Sequence, residues 1–175
     1  MSVMLWAVAA VAVTVAVVTD VRSRRIPNWL TAGLTLAALV LTAFAGIHSL
    51  LVALATMSVT FVLGTLAFAC GWLGGGDVKL IAALGAVLGW PDTAALLLYT
   101  AIGGGLLALI VAGAAGRLGS TLRATFALAL PLLYPGVAAT APTEGVKLPY
   151  AVAIAFGTLC VAVSHTYVPM LRLAL

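Results

Sequence analysis

Gly74 to Gly85 reads GGGDVKLIAALG: three glycines, an aspartate, then a run of apolar residues interrupted by one lysine. A carboxylate at the edge of such a run matters. A charged side chain at the centre of a bilayer costs about 2.5–3.5 kcal/mol on insertion scales, so an acid kept there is a functional candidate. The chain holds a second one: Asp20 closes the long apolar segment near the start, and the sequence has only 4 acidic residues in 175. Two aspartates placed this way suggest a carboxyl dyad.

Composition sets the environment around that pair. Hydrophobic residues make up 65% of the chain and charged residues 7%, whereas soluble domains are roughly 45–50% apolar. A soluble domain of this length leaves much of its area in water and has no core large enough for so much apolar surface. The expectation is therefore an all-α integral membrane protein forming a single transmembrane domain over residues 1–175. The net charge of +4 is read as topology, because the basic residues flank apolar runs and form no stripe with interleaved aromatics; nucleic acid is not an expected partner. Cys70 and Cys160 lie in apolar segments without a CxxC spacing. They read as small packing residues, not zinc ligands or a disulfide.

Hydropathy gives six crossings. The first runs from about Ser2 to Val18, followed at once by Asp20, Arg22, Arg24 and Arg25. A signal peptide carries its charge before the apolar stretch, so this is a retained helix with its N-terminus outside and Asp20 on the cytoplasmic side. Pro27 breaks the chain, and a second span from Trp29 to about Gly46 turns near His48 into a third, Leu50 to Leu73. That hairpin starts and ends at one membrane face, so it returns Asp20 and Asp77 to the same leaflet.

The fourth apolar stretch, Val78 to Gly89, covers only about 18 Å at ~1.5 Å per residue, short of the ~30 Å hydrocarbon core. Either it starts below the surface and sinks Asp77, or the glycines lengthen it. A turn at Trp90-Pro91-Asp92 leads to a fifth span, Thr93 to Ala115. The last runs from Leu148 to His165 or Tyr167. Between Gly116 and Lys147 we expect a cytoplasmic loop partly associated with the membrane; a rival layout makes Phe126 to Leu133 a crossing and moves the C-terminus inside. Arg22, Arg24, Arg25, Lys79, Arg117, Arg123 and Lys147 fall on the expected cytoplasmic side and Arg172 on the other. No internal repeat of the inverted-transporter kind is visible.

Two carboxylates hydrolyse an amide when one takes a proton from water while the other, protonated, polarises the scissile carbonyl; close carboxylates share one proton because both cannot ionise cheaply. Asp20 ends its helix, where the dipole disfavours an anion, and Asp77 opens the next, where the dipole favours one. On that argument Asp77 is mainly the base and Asp20 mainly the acid, opposed by Arg22, Arg24 and Arg25 if they point at Asp20. Gly74, Gly75 and Gly76 permit unusual backbone angles and close approach of a substrate backbone; the plainer reading of such a run is helix packing.

At these residues the sequence resembles the type IV prepilin peptidases, GxGD-type aspartic proteases of bacterial inner membranes. Thr19 to Leu30 reads TDVRSRRIPNWL, Gly74 to Gly85 carries the GxGD signature, and Lys147 to Gly157 reads KLPYAVAIAFG, similar to that family's final helix. The resemblance implies a six-helix protease with Asp20 and Asp77 as its catalytic pair. Such an enzyme removes the leader from prepilin-like proteins at the cytoplasmic side of the inner membrane. Its partners are the substrate's apolar helix, membrane lipid and a pilus or type II secretion-like machinery. Longer members carry an insertion with two CxxC pairs and methylate the new N-terminus. This chain has neither pair, so it looks like the short form serving Flp or tight-adherence pili, and the methyltransferase role is not carried over. No cofactor and no metal is expected.

The remaining polar residues have plainer readings. Lys79 snorkels to the interface or contacts substrate. Asn28 caps the second helix or lines the site. Pro149 and Tyr150 start the last helix, where proline is tolerated, with the resemblance offering a site-lining role. His48 and His165 are isolated at span ends, and Trp6, Trp29, Trp72 and Trp90 suit interfaces or packing. Two other classes fit the bare pattern. A small proton-coupled transporter or channel also uses intramembrane carboxylates and broken helices, but its Asp→Asn variants lose transport with no peptide bond cut. A scaffold subunit would tolerate replacement of both aspartates.

Overall fold

The computed structural model describes residues 3–116, Gly119 and 149–167, with side chains of the last helix as far as His165. Six helices and no strand lie among them: α1 (Val3–Ser23), α2 (Asn28–Phe44), α3 (Ile47–Ala69), α4 (Gly75–Leu88), α5 (Asp92–Ala114) and α6 (Tyr150–Tyr167). The expected cytoplasmic loop, the rival crossing at 126–133 and Arg172 lie outside the described residues. The chain divides into two compact units, residues 1–104 with 149–175, and residues 105–148. Of the second, the described part is the continuation of α5 from Gly105 with the turn that follows it, and Gly119.

Proline marks where helices begin. Pro27 is the N-cap of α2, and Pro91 and Pro149 directly precede α5 and α6. The fixed φ and missing N–H of proline are harmless there, because the first-turn donors have no partner within the helix. The boundaries differ from the hydropathy reading in two places. α1 continues to Ser23, so Asp20 is inside its last turn and not beyond it. α3 stops at Ala69, before Leu73, because Gly71 adopts φ 75° and the chain folds back through Trp72 N–H to the Ala67 carbonyl, a glycine-terminated helix end.

Three helices (α1, α3 and α5) are long and apolar enough to cross a membrane, and α2 and α6 are shorter apolar helices. Their outward faces carry Val11, Leu36, Leu51, Val59, Leu66, Leu98 and Leu159, all exposed. Such a surface has lipid as its solvent. This is a membrane protein.

α4 is the opposite case. Every residue from Leu80 to Leu88 is buried, so the helix is enclosed on all sides, as a helix apolar all round must be. It packs on α3 and α2 and touches α1 and α6, while α1 also packs on α2 and α6. Backbone polarity inside this core is satisfied locally: Thr56 on α3 donates to the Gly85 carbonyl of α4 at 2.8 Å. Gly75 and Gly76 belong to the helix, so the glycines do lengthen the short fourth stretch, to about 21 Å at ~1.5 Å per residue.

Candidate active site

Asp20 is buried in the last turn of α1. That helix is closed by Arg24, which takes the left-handed conformation (φ 51°) and donates its N–H to the Asp20 carbonyl at 2.8 Å. The chain then lays Ile26 against the start of α4. A Cβ at position 76 would stand 3.1 Å from the Ile26 Cβ and 3.5 Å from its backbone nitrogen. Only glycine at 76 lets the α1–α2 link approach α4 this closely, and that approach draws the end of α1 toward Asp77.

Asp77 is half-buried in the first turn of α4. Its Oδ2 accepts the N–H of Gly74, the helix N-cap, at 3.2 Å, the part of a capping box that a glycine N-cap allows. A Cβ at 74 would sit 2.8 Å from that same oxygen, whereas at 75 it would meet only the Phe68 ring at an ordinary 3.8 Å. Two of the three glycines therefore have a steric reason tied to the aspartate or its approach; Gly75 has none.

The carboxyls of Asp20 and Asp77 lie within electrostatic reach of each other. Ion pairs among the described residues include neither of them, and Arg22, Arg24 and Arg25 are exposed. Asp20 Oδ2 instead accepts the backbone N–H of Ala151, in the first turn of α6, at 3.1 Å. This changes the division of labour expected from dipoles. Asp20 ends its own helix but also faces the positive end of another, so each aspartate accepts an N–H at a helix N-terminus and the dipole asymmetry between them is smaller than their own helices give.

Asn28 does not cap α2. The N-cap is Pro27, with no side-chain cap hydrogen bond, and the Asn28 Oδ1 instead accepts from Lys79 Nζ at 2.8 Å. Both side chains are exposed, two residues beyond Asp77 along α4 in the case of Lys79. Tyr150 is half-buried and within electrostatic reach of Asp77, next to Ala151. The structure thus gathers Asp20, Asp77, Gly74, Gly76 and Tyr150, with Pro149 preceding that tyrosine, and pairs Asn28 with Lys79.

A family model described as the type IV leader peptidase family matches residues 7–109. The chain belongs to that family. The matched stretch contains Asp20, the hairpin of α2 and α3, and the glycines with Asp77. Among curated proteins no match is found, and among solved structures none either. At the family level, membership of the leader peptidases carries a peptidase activity.

One polar pair escaped the sequence reading. His165, taken as isolated, places Nε2 2.6 Å from Asp92 Oδ2 and meets the Trp6 ring edge-on at 5.3 Å. The helix order held the clue: Asp92 opens α5 and His165 lies in the last turn of α6, whose first turn meets Asp20, so the pair sits at the other end of α6. Trp6 is accordingly a packing residue, while Trp29, Trp72 and Trp90 are exposed. Cys70 is exposed too, so of the two cysteines only the half-buried Cys160 fits the packing role.

Proposed function

We propose that this chain is an intramembrane aspartic endopeptidase that removes the N-terminal leader from type IV prepilins of the Flp type, with Asp20 and Asp77 as its catalytic pair. The observation that carries this reading is that two acids from helices far apart in sequence come within electrostatic reach of each other, each accepting a backbone N–H at a helix N-terminus. An ionisable side chain inside a membrane segment is a functional candidate by default. Membership of the leader peptidase family supports the same chemistry.

In the proposed reaction the ionised carboxyl takes a proton from water as the water oxygen bonds to the scissile carbonyl carbon. The protonated carboxyl gives its proton to the carbonyl oxygen. As the C–N bond of the resulting gem-diol breaks, the now protonated carboxyl gives its proton to the leaving nitrogen and the other carboxyl takes one diol proton, so the pair again shares one. The charge asymmetry of the sequence favours a cytoplasmic site in a bacterial inner membrane. The absence of paired CxxC motifs favours the short, Flp-serving form without methyl transfer.

The test is leader removal from a tagged Flp-type prepilin by the purified protein in detergent, followed by mass spectrometry. Wild type should cut at one bond, and Asp20→Asn and Asp77→Asn should not. An inactive wild type, or cutting by either variant at more than about a hundredth of the wild-type rate, would rule out this mechanism on that substrate.

A further inference from the structure

The first turn of the last helix bears on both aspartates, bonding Asp20 through Ala151 and placing Tyr150 within electrostatic reach of Asp77. Ala151 is fully buried and gives its N–H to Asp20; the first-turn N–H groups of a helix have no partner within it, so this donor is available without cost to α6. A backbone N–H to a carboxylate is a charge-assisted bond, short-ranged and directional. At 3.1 Å it is already near the long end of such bonds, so a displacement of the first turn of α6, by rotation or by shift, breaks it.

Something must fix that rotation, and hydropathy does not, since α6 is apolar along most of its length. Close contacts with α5 supply the stop, Phe156 at Gly103, Gly157 at Thr100 and Tyr150 at Gly104, and of these only Tyr150 adjoins Ala151. Tyr150 seats its ring on α5 at Gly104, where an added Cβ would stand 3.0 Å from Cε2 and 3.3 Å from both Cζ and the hydroxyl oxygen. The notch exists because residue 104 is glycine. Any side chain there would have to displace the ring, and with it the first turn of α6.

We infer that Tyr150 is a positioning residue for the catalytic pair: its ring, seated in the notch left by Gly104, sets the rotation of α6 so that the Ala151 N–H holds Asp20 in place beside Asp77. The inference rests on the aspartyl peptidase reading. The ring does the work through its shape, so phenylalanine should serve.

The experiment measures kcat and KM for leader removal from the tagged prepilin, with folding checked by thermal unfolding in detergent. Tyr150→Ala should lower kcat about 10–100-fold, the range a misplacement of ~1 Å produces, while KM stays within about threefold. Tyr150→Phe should restore most of that loss. Gly104→Val should match Tyr150→Ala, and the double variant should be no worse than either, because both remove one contact. Gly104→Ala, whose added Cβ pushes on the Tyr150 ring by a few tenths of an ångström, should give a smaller loss of kcat if Tyr150→Ala fails to fold. A folded Tyr150→Ala with wild-type kcat, a Phe variant as slow as the Ala variant, or additive losses in the double variant would overturn the inference. Failure of the wild type to cleave, or cleavage by Asp20→Asn at more than about a hundredth of the wild-type rate, would overturn the aspartyl reading itself, a result distinguishable from these.

Discussion

Asp77 and Asp92 occupy the same kind of position and have opposite fates. Each lies in the first turn of a helix, α4 and α5 respectively, where the dipole favours an anion. Asp92 meets an imidazole, His165 at 2.6 Å. Asp77, at the other end of α4, meets a second acid and a backbone N–H. Local sequence is much the same in both places, an acid following turn residues. The neighbour delivered by the fold decides whether the carboxyl is a structural anchor or a reactive group.

The largest effect should separate the two ends outright. Asp77→Asn and Asp20→Asn should each cut the rate of leader removal about 10²–10⁴-fold, the typical worth of general acid–base catalysis, without lowering the unfolding temperature. Asp92→Asn should leave cleavage within a few-fold of wild type. Equal losses at Asp77 and Asp92 would break the comparison.

Next in size is the Asp92–His165 pair. His165→Ala removes a short, half-buried contact to a carboxylate and should cost about 2 kcal/mol of stability, as hydrogen bonds to charged groups do. Asp92→Asn combined with it should cost little more than either alone, which a thermal-unfolding cycle in detergent checks. A smaller effect tests the core around α4. Thr56→Val removes the hydroxyl that donates to the Gly85 carbonyl, and interhelical hydrogen bonds in membranes average about 0.6 kcal/mol. Smallest should be the exposed Lys79–Asn28 contact. Lys79→Gln should shift stability by less than about 0.5 kcal/mol, in the range of exposed charge contacts. A large loss of cleavage in that variant would move Lys79 from the surface into the site.

Much of the site was legible from residues alone. Asp20 and Asp77 could be singled out because acids are scarce and expensive in this composition, and the hairpin between them could be counted because an even number of crossings returns the chain to its starting face. The roles of neighbouring residues were less legible. Asn28 reads as a helix cap because it follows a proline before an apolar run, yet Pro27 takes the cap and Lys79, distant in sequence, takes the side chain. His165 looks isolated because its partner comes from another helix. The end of α3 slipped from Leu73 to Ala69 because hydropathy does not register a left-handed glycine at 71.

By itself the sequence determined the solvent of this chain and singled out its two costly aspartates. These follow from transfer free energies and charges that each residue carries wherever it sits. Only the tertiary structure decided which groups face which: Ile26 on Gly76, the Ala151 N–H on Asp20, and His165 on Asp92. The reason is physical. A helix apolar on every face has no polar side to aim at water, so its rotation is set by how small residues and rings fit against its neighbours.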